Sequence, residues 1–227
     1  DATIRLWNVV TQDCVFCFHG HERFVCCLAG PPYNNKLVSS SYDKTIRVWS
    51  LMDTSCCVLR GHDAFVFCVG VLPDGRIVSG SADASLRVWH LDGKRWRQAG
   101  RTPHAVPIGC LAVLGGSHVL TGDDAGDLVL WSVPPSRRAP PTCVARRRKA
   151  HASVLNAVCV LPGDGYTVAT GGYACCVKVW RVSPTGGHIV AVDAWRNHQR
   201  SVTGLCVLGP LAFASCSVDQ RILLWRV

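Results

Sequence analysis

The sequence is short of charge and almost devoid of glutamate: Glu22 is the one glutamate among 227 residues, and charged residues make up 17% of the chain. No apolar run approaches the length of a membrane span. No glycine-rich phosphate loop, no paired catalytic carboxylates and no metal-ligand spacing are visible, so no catalytic residue, cofactor or metal site is expected. No basic n-region leads into an apolar stretch and a small-residue cleavage site, so no secretory signal is expected. What is present is 48% apolar residues, enough to bury a sizeable core as one soluble domain over 1–227.

Fourteen cysteines are plentiful, but they stand singly or as adjacent pairs within apolar runs such as Val25-Cys26-Cys27-Leu28 and Phe67-Cys68-Val69. They read as small hydrophobes of a reducing compartment, cytoplasmic or nuclear, rather than as a disulfide framework. Cys14 and Cys17 form a CxxC, but zinc needs a second ligand pair and thioredoxin-like chemistry needs a helix start. Val15, Phe16 and Phe18 make the segment a strand, on which residues three apart face opposite ways.

The net charge of +9 is unevenly placed. Between Lys94 and Lys149 lie Arg95, Arg97, Arg101, Arg137, Arg138, Arg146, Arg147 and Arg148, several of them in a proline- and arginine-rich segment, 133–149, read as a basic insertion between strands.

The strongest signal is a repeat. Two branched apolar residues flanking a variable one precede Trp7, Trp49, Trp89, Trp131, Trp180 and Trp225, at intervals of 42, 40, 42, 49 and 45 residues. In the unit that follows His62, period-two alternation and turn residues predict strands over 65–71, 76–81, 85–89 and 95–98. Four short strands per unit with no helical period predict consecutive antiparallel hairpins in a radial array.

The repeat resembles the WD-repeat β-propeller family over essentially the whole chain. The family's Gly-His pair stands as Gly20-His21 and Gly61-His62, and its histidine alone as His104, His151 and His198. Its Asp, six residues before the tryptophan, is matched by Asp1, Asp43, Asp83 and Asp219, and its Ser/Thr by Ser39, Ser79, Thr121, Thr170 and Ser215. The resemblance implies a buried Asp-His-Ser/Thr-Trp hydrogen-bond network in each blade, a structural role rather than a catalytic triad, because the residues recur identically. Ala125 and Ala174 occupy the Asp site in two consecutive units, where Asp123 or Asp124 is a substitute in the first; these two blades are expected to be the less rigid. No Asp follows any of the tryptophans.

The family's repeat runs out of step with its blade. The expectation is therefore an all-β propeller of four-stranded antiparallel blades: five with their first three strands, preceded by a partial blade with its third strand at 3–8 and its fourth at 13–18. A seven-blade ring, commonest in the family, needs roughly 290 residues at this period. The chain is accordingly read as a fragment of such a ring that starts mid-blade, with five- or six-blade closure as the alternative.

The resemblance further implies that the third and fifth residues after each repeat histidine, and the residue before the Asp site, face the upper surface. Phe24, Cys26, Tyr42, Phe65 and Phe67 then form an aromatic-rich patch, with Asp124, Asn156 and Tyr173 beyond it. The leading functional reading is a non-catalytic protein-interaction scaffold that binds a peptide or partner loop there. A ubiquitin-ligase substrate receptor is a second reading, although no arginine cluster flanks the Asp sites. A third is an RNA-associated propeller that uses the basic rim, which also suits an acidic protein.

Overall fold

The computed structural model describes residues 1–30, 35–136, 139–163, 165–209 and 212–226, and these hold no helix and so none able to cross a membrane. β1 (Ile4–Trp7) and β2 (Cys14–Phe18) form a two-stranded sheet. Four four-stranded sheets follow: β3 (Val25–Ala29), β4 (Lys36–Ser41), β5 (Ile46–Ser50) and β6 (Cys56–Leu59); β7 (Val66–Val71), β8 (Ile77–Ser81), β9 (Ser85–Asp92) and β10 (Arg95–Pro103); β11 (Ile108–Val113), β12 (His118–Asp123), β13 (Leu128–Ser132) and β14 (Thr142–Arg147); β15 (Leu155–Val160), β16 (Thr167–Gly172), β17 (Val177–Ser183) and β18 (His188–Trp195). β19 (Val202–Gly209), β20 (Ala212–Ser217) and β21 (Ile222–Arg226) make a three-stranded sheet. All neighbours pair antiparallel, and the inner strands β3, β7, β11, β15 and β19 touch in succession, so the fold is a β-propeller. Five sheets carry their first three strands and a partial blade precedes them.

The strands expected after His62 lie within a residue of β7, β8 and β9 at their starts; β9 runs on to Asp92, and β10 runs on to Pro103 past a register shift between Gln98 and Gly100. Segment 133–149 differs from a simple insertion, because β14 occupies Thr142–Arg147 and completes its blade.

The core lies between sheets rather than within one. Val38, Ile46 and Val48 of one blade pack against Val66, Val69 and Ile77 of the next, and equivalent clusters fill each following seam. Close approach depends on a small residue in the second strand. At Gly171 an added Cβ would lie 2.5 Å from Val202 Cγ1, and at Gly80 it would lie 2.6 Å from Ile108 Cγ2, both in the following blade's inner strand. Cys216 holds this position in the last sheet and is exposed, because no described residue covers that face. Ile222 and Leu224 there are 72% and 73% exposed, and at the other end Trp7 is 52% exposed while the remaining repeat tryptophans are buried.

Those buried tryptophans organise each blade through a chain of hydrogen bonds. An indole N–H can only donate, and Trp49, Trp89, Trp180 and Trp225 give theirs to Ser39, Ser79, Thr170 and Ser215 at 2.7–2.9 Å. The hydroxyls then donate to Nε2 of His21, His62, His151 and His198 at 2.7–2.8 Å. With Nε2 an acceptor, Nδ1 carries the proton and donates to Asp43, Asp83 and Asp219 at 2.6–2.9 Å. Burial works against ionisation of Asp43, but hydrogen bonds from Thr45, His21 and the Glu22 backbone outweigh it and lower its pKa to about 2. The residue after the Asp site takes a positive φ in every blade, as at Lys44, Ala84 and Gly126.

The two blades with alanine at the Asp site keep their tryptophan bonds and find other histidine partners. Trp131 donates to Thr121 at 2.8 Å, but His104 turns its Nδ1 to the Val106 carbonyl at 3.0 Å and sets Nε2 3.6 Å from Asp123 Oδ2, too far for a hydrogen bond. Asp123 thus stands in as the nearby carboxylate, while Asp124 is exposed. In the next blade Cys176 Sγ lies 3.4 Å from His151 Nδ1 and replaces the missing acceptor. Burial, and secondarily the charge of Lys178, lower the His151 pKa to about 4.

Two outcomes are expected. Gly171→Leu overpacks a covered seam and lowers stability by roughly 2 kcal/mol in denaturant unfolding, whereas Cys216→Leu, at the uncovered equivalent, changes it by less than about 0.5 kcal/mol. The folded His151 value of about 4 lies below the unfolded imidazole value of about 6.5, so between them the unfolded chain binds more protons. The stability supplied by neutral His151 is therefore complete above about pH 6.5 and is lost as pH falls towards 4. Ala174→Asp, which restores a carboxylate for the imidazolium, flattens this fall in melting temperature; an unchanged slope contradicts the assignment.

Candidate functional site

In each of the five larger sheets the register between first and second strands shifts at the fifth residue after the repeat histidine: Cys26, Phe67, Gly109, Asn156 and Thr203. A bulge residue leaves the ladder and its side chain is re-aimed. All five line a single cavity of about 600 Å³, reached from every one of these sheets, at one end of the propeller axis.

A second backbone device brings the other positions to the same rim. The carbonyl of the third residue after the histidine accepts the N–H of the residue before the Asp site in every unit: Phe24 from Tyr42, Phe65 from Ala82, Pro107 from Asp124, Val154 from Tyr173 and Ser201 from Val218, at 2.9–3.1 Å. Of these, Phe24, Tyr42, Asp124, Val154 and Tyr173 also line the basin.

The sequence-predicted patch is thereby assembled. Tyr42 is its hub: it stacks on Phe65 with centroids 4.5 Å apart and rings 6° from parallel, and meets Phe24 and Phe67 edge-on at 5.9 Å. Phe24 is 66% exposed, Phe65 and Phe67 are half-buried, and Tyr173 stands 57% exposed on another wall. Phe65 belongs to the cluster but is not among the basin's lining residues. Desolvation in the concave basin, and then the charge of Asp123, raise the Asp124 carboxyl above its ordinary range. One wall is thus aromatic and another polar, with Asp124, Asn156 and Thr203 on it. The arrangement suits an apolar side chain with hydrogen-bonding groups beside it. All fourteen cysteines are unpaired, Cys26 in the basin included; Cys14 and Cys17 share β2.

The basic residues lie elsewhere. Arg95 and Arg97 are exposed on β10, Lys94 precedes it in a turn, and Arg146 and Arg147 are exposed on β14 with Arg148 just beyond. Thr102 Oγ1 donates to the Pro141 carbonyl at 2.8 Å and Pro140 presses on Gly100, so the approach to β14 is docked against β10. Arg97 pairs with Asp92 at 3.2 Å and Arg146 lies 3.9 Å from Asp127. Arg137 and Arg138 lie outside the described residues. Trp195, for which sequence suggested no role, stacks on Trp225 at 5.0 Å and seals a seam between blades.

Thr203, the fifth residue after His198 and so among the positions that the resemblance aims at the upper surface, also lines the basin. Sequence reasoning missed the substitute partner Cys176, which had no signal because the family's acceptor sits two residues earlier.

Comparison with known proteins bears on the whole arrangement. The family model described as WD domain, G-beta repeat matches residues 12–50, 53–90 and 142–181, more than half of the chain. The chain is 34% identical to transducin beta-like protein 3 of Bos taurus, over all of this chain and 34% of that protein. It is 26% identical to an uncharacterised WD repeat-containing protein of Schizosaccharomyces pombe over 99% of this chain and 60% of the other. Small ribosomal subunit protein RACK1y of Oryza sativa is 29% identical over 75% of this chain and 52% of its own. The chain spans less than two thirds of the length of each of these curated relatives.

Proposed function

Because the chain belongs to the WD-repeat family, whose propellers generally act as protein-interaction scaffolds, we propose that it is a non-enzymatic scaffold that seats a peptide or partner loop in the upper basin. The observation that carries this is the convergence of the bulge residues of five sheets on one cavity whose aromatic wall, Phe24, Tyr42 and Phe67, lies outside the buried hydrophobic clusters that fill the seams between blades. Rings left half-exposed around a cavity supply an apolar anchor site, and Asp124 and Asn156 supply orientation. None of the basin's described lining residues is arginine, which disfavours the reading as a receptor for phosphorylated motifs. The repeated His, Asp and Ser are consumed by their own networks, and this supports a non-catalytic role. Unpaired thiols, several of them exposed, suit a cytoplasmic or nuclear setting.

Replacing Phe24, Phe65 and Phe67 together by alanine is expected to abolish capture of protein partners while leaving the melting temperature within a few degrees of the parent; undiminished capture refutes the basin as the site. A second reading rests on the exposed arginines of two neighbouring outer strands, Arg95 and Arg97 on β10 and Arg146 and Arg147 on β14 with Arg148 just beyond, which form a basic rim. An acidic protein or RNA suits that rim. If RNA binds there, its affinity falls steeply, by tenfold or more between about 50 and 200 mM salt, and nuclease treatment removes the associated material; salt-insensitive binding excludes this reading.

A further inference from the structure

The turns joining first to second and third to fourth strands lie at the end of the propeller opposite the basin, because successive antiparallel strands alternate direction. Between the first two complete blades these turns enclose a cavity of about 370 Å³, and a second of about 270 Å³ shares Lys36, Val48, Leu91 and Trp96 with it. The two form one trough along the seam.

Its chemistry is lopsided. Lys36, Arg76 and His90 line the larger cavity and Lys94 the smaller, against one carboxylate, Asp74. That carboxylate is already taken, since Arg76 Nε donates to its Oδ2 at 2.7 Å. Arg76 is 6% exposed, an unusual depth for a guanidinium, and its Nη1 donates to the Pro134 carbonyl at 2.6 Å. Its Nη2 is buried without a hydrogen-bond partner among the described residues, and so is His90 Nδ1 in the same wall. A guanidinium offers five N–H donors in a fixed fork that matches a carboxylate. Val38, Val48 and Ile77 floor the trough, and Trp96 is half-buried at its side. The same trough thus carries a buried guanidinium with one nitrogen lacking a hydrogen-bond partner among the described residues, and a buried imidazole nitrogen in the same state, beside an apolar floor; polar atoms left so cost stability until a partner answers them.

We propose that this trough is a second peptide site, selective for an acidic segment in which a carboxylate side chain follows an apolar one. The carboxylate pairs with Arg76 and Lys36, and the apolar side chain lies on Val48 and against Trp96. Two contiguous cavities extending from Arg76 to Lys94 suit an extended chain better than one compact ligand. The site is independent of the upper basin and shares no residue with it.

The test uses fluorescence anisotropy with the full chain and three fluorescein-labelled peptides that alternate leucine with glutamate, with glutamine or with lysine between Gly-Ser flanks. The glutamate peptide is expected to bind at least about tenfold more tightly than the other two. Lys36→Glu, at a partly exposed position that leaves folding intact, weakens it about tenfold or more, and Arg76→Gln, checked for an unchanged melting curve, does the same. The alanine triple variant of Phe24, Phe65 and Phe67 binds it as the parent does. Equal binding of the glutamate and glutamine peptides overturns the proposal, as does no saturable binding of the glutamate peptide. Retention of binding in Lys36→Glu with loss on reversing the charge of Arg95 and Arg97 also overturns it, by moving the contact to the rim.

Discussion

A tryptophan N–H inside a protein must find an acceptor, and this requirement underlies the architecture of the chain. Water is excluded where blades meet, and an indole can only donate. A serine or threonine hydroxyl on the neighbouring strand is the acceptor in all five larger sheets. In four of them its own proton then dictates which histidine nitrogen is bare. The histidine precedes the inner strand, and the Asp site sits in the turn after the second strand. One chain of hydrogen bonds thus ties the incoming loop, the second strand and the third into a unit.

That tie positions the functional surface without contributing to it. The loop held by the histidine enters the inner strand through a bulge, and the turn at the Asp site donates its backbone N–H back to the same loop. Backbone geometry is therefore shared by all the blades, whereas the side chains it aims into the basin are free to differ. Phe67, Gly109, Asn156 and Thr203 occupy one equivalent position. A constant frame with variable occupants lets a symmetric array carry an asymmetric site, aromatic on one wall and polar on another.

The frame also tolerates local rewiring, and here sequence reading reached its limit. Loss of the carboxylate at Ala125 and Ala174 was visible as a broken pattern, and Asp123 was one of two substitutes named for the first, but the replacement in the second was not visible. Asp123 approaches His104 from two residues earlier in its turn and Cys176 approaches His151 from two residues later, and neither obeys the repeat. Periodicity finds residues that do the same thing at the same place; it is blind to a neighbour such as Cys176 that reaches Nδ1 from a different backbone position, and to a ring such as His104 that turns Nδ1 to a backbone carbonyl and Nε2 towards the carboxylate. The trough between the first two complete blades is hidden for a related reason. Lys36, Arg76, His90 and Trp96 occupy unrelated places in their repeats and meet only because two blades stack.

What the sequence determined alone was the repeat, the strand count, the partners of the buried tryptophans and the positions aimed at the upper surface. The repeat and the strand count follow from local alternation, turn residues and the recurring period, whereas the tryptophan partners and the upper-surface positions were implied by the resemblance to the WD-repeat family. Tertiary structure decided which of those positions share a cavity, how Tyr42 unites three phenylalanines, which histidines are rewired and where a guanidinium nitrogen is buried without a hydrogen-bond partner among the described residues. These depend on distances between separate strands and blades, and such distances are set by how closely small residues such as Gly80 and Gly171 let adjacent sheets approach.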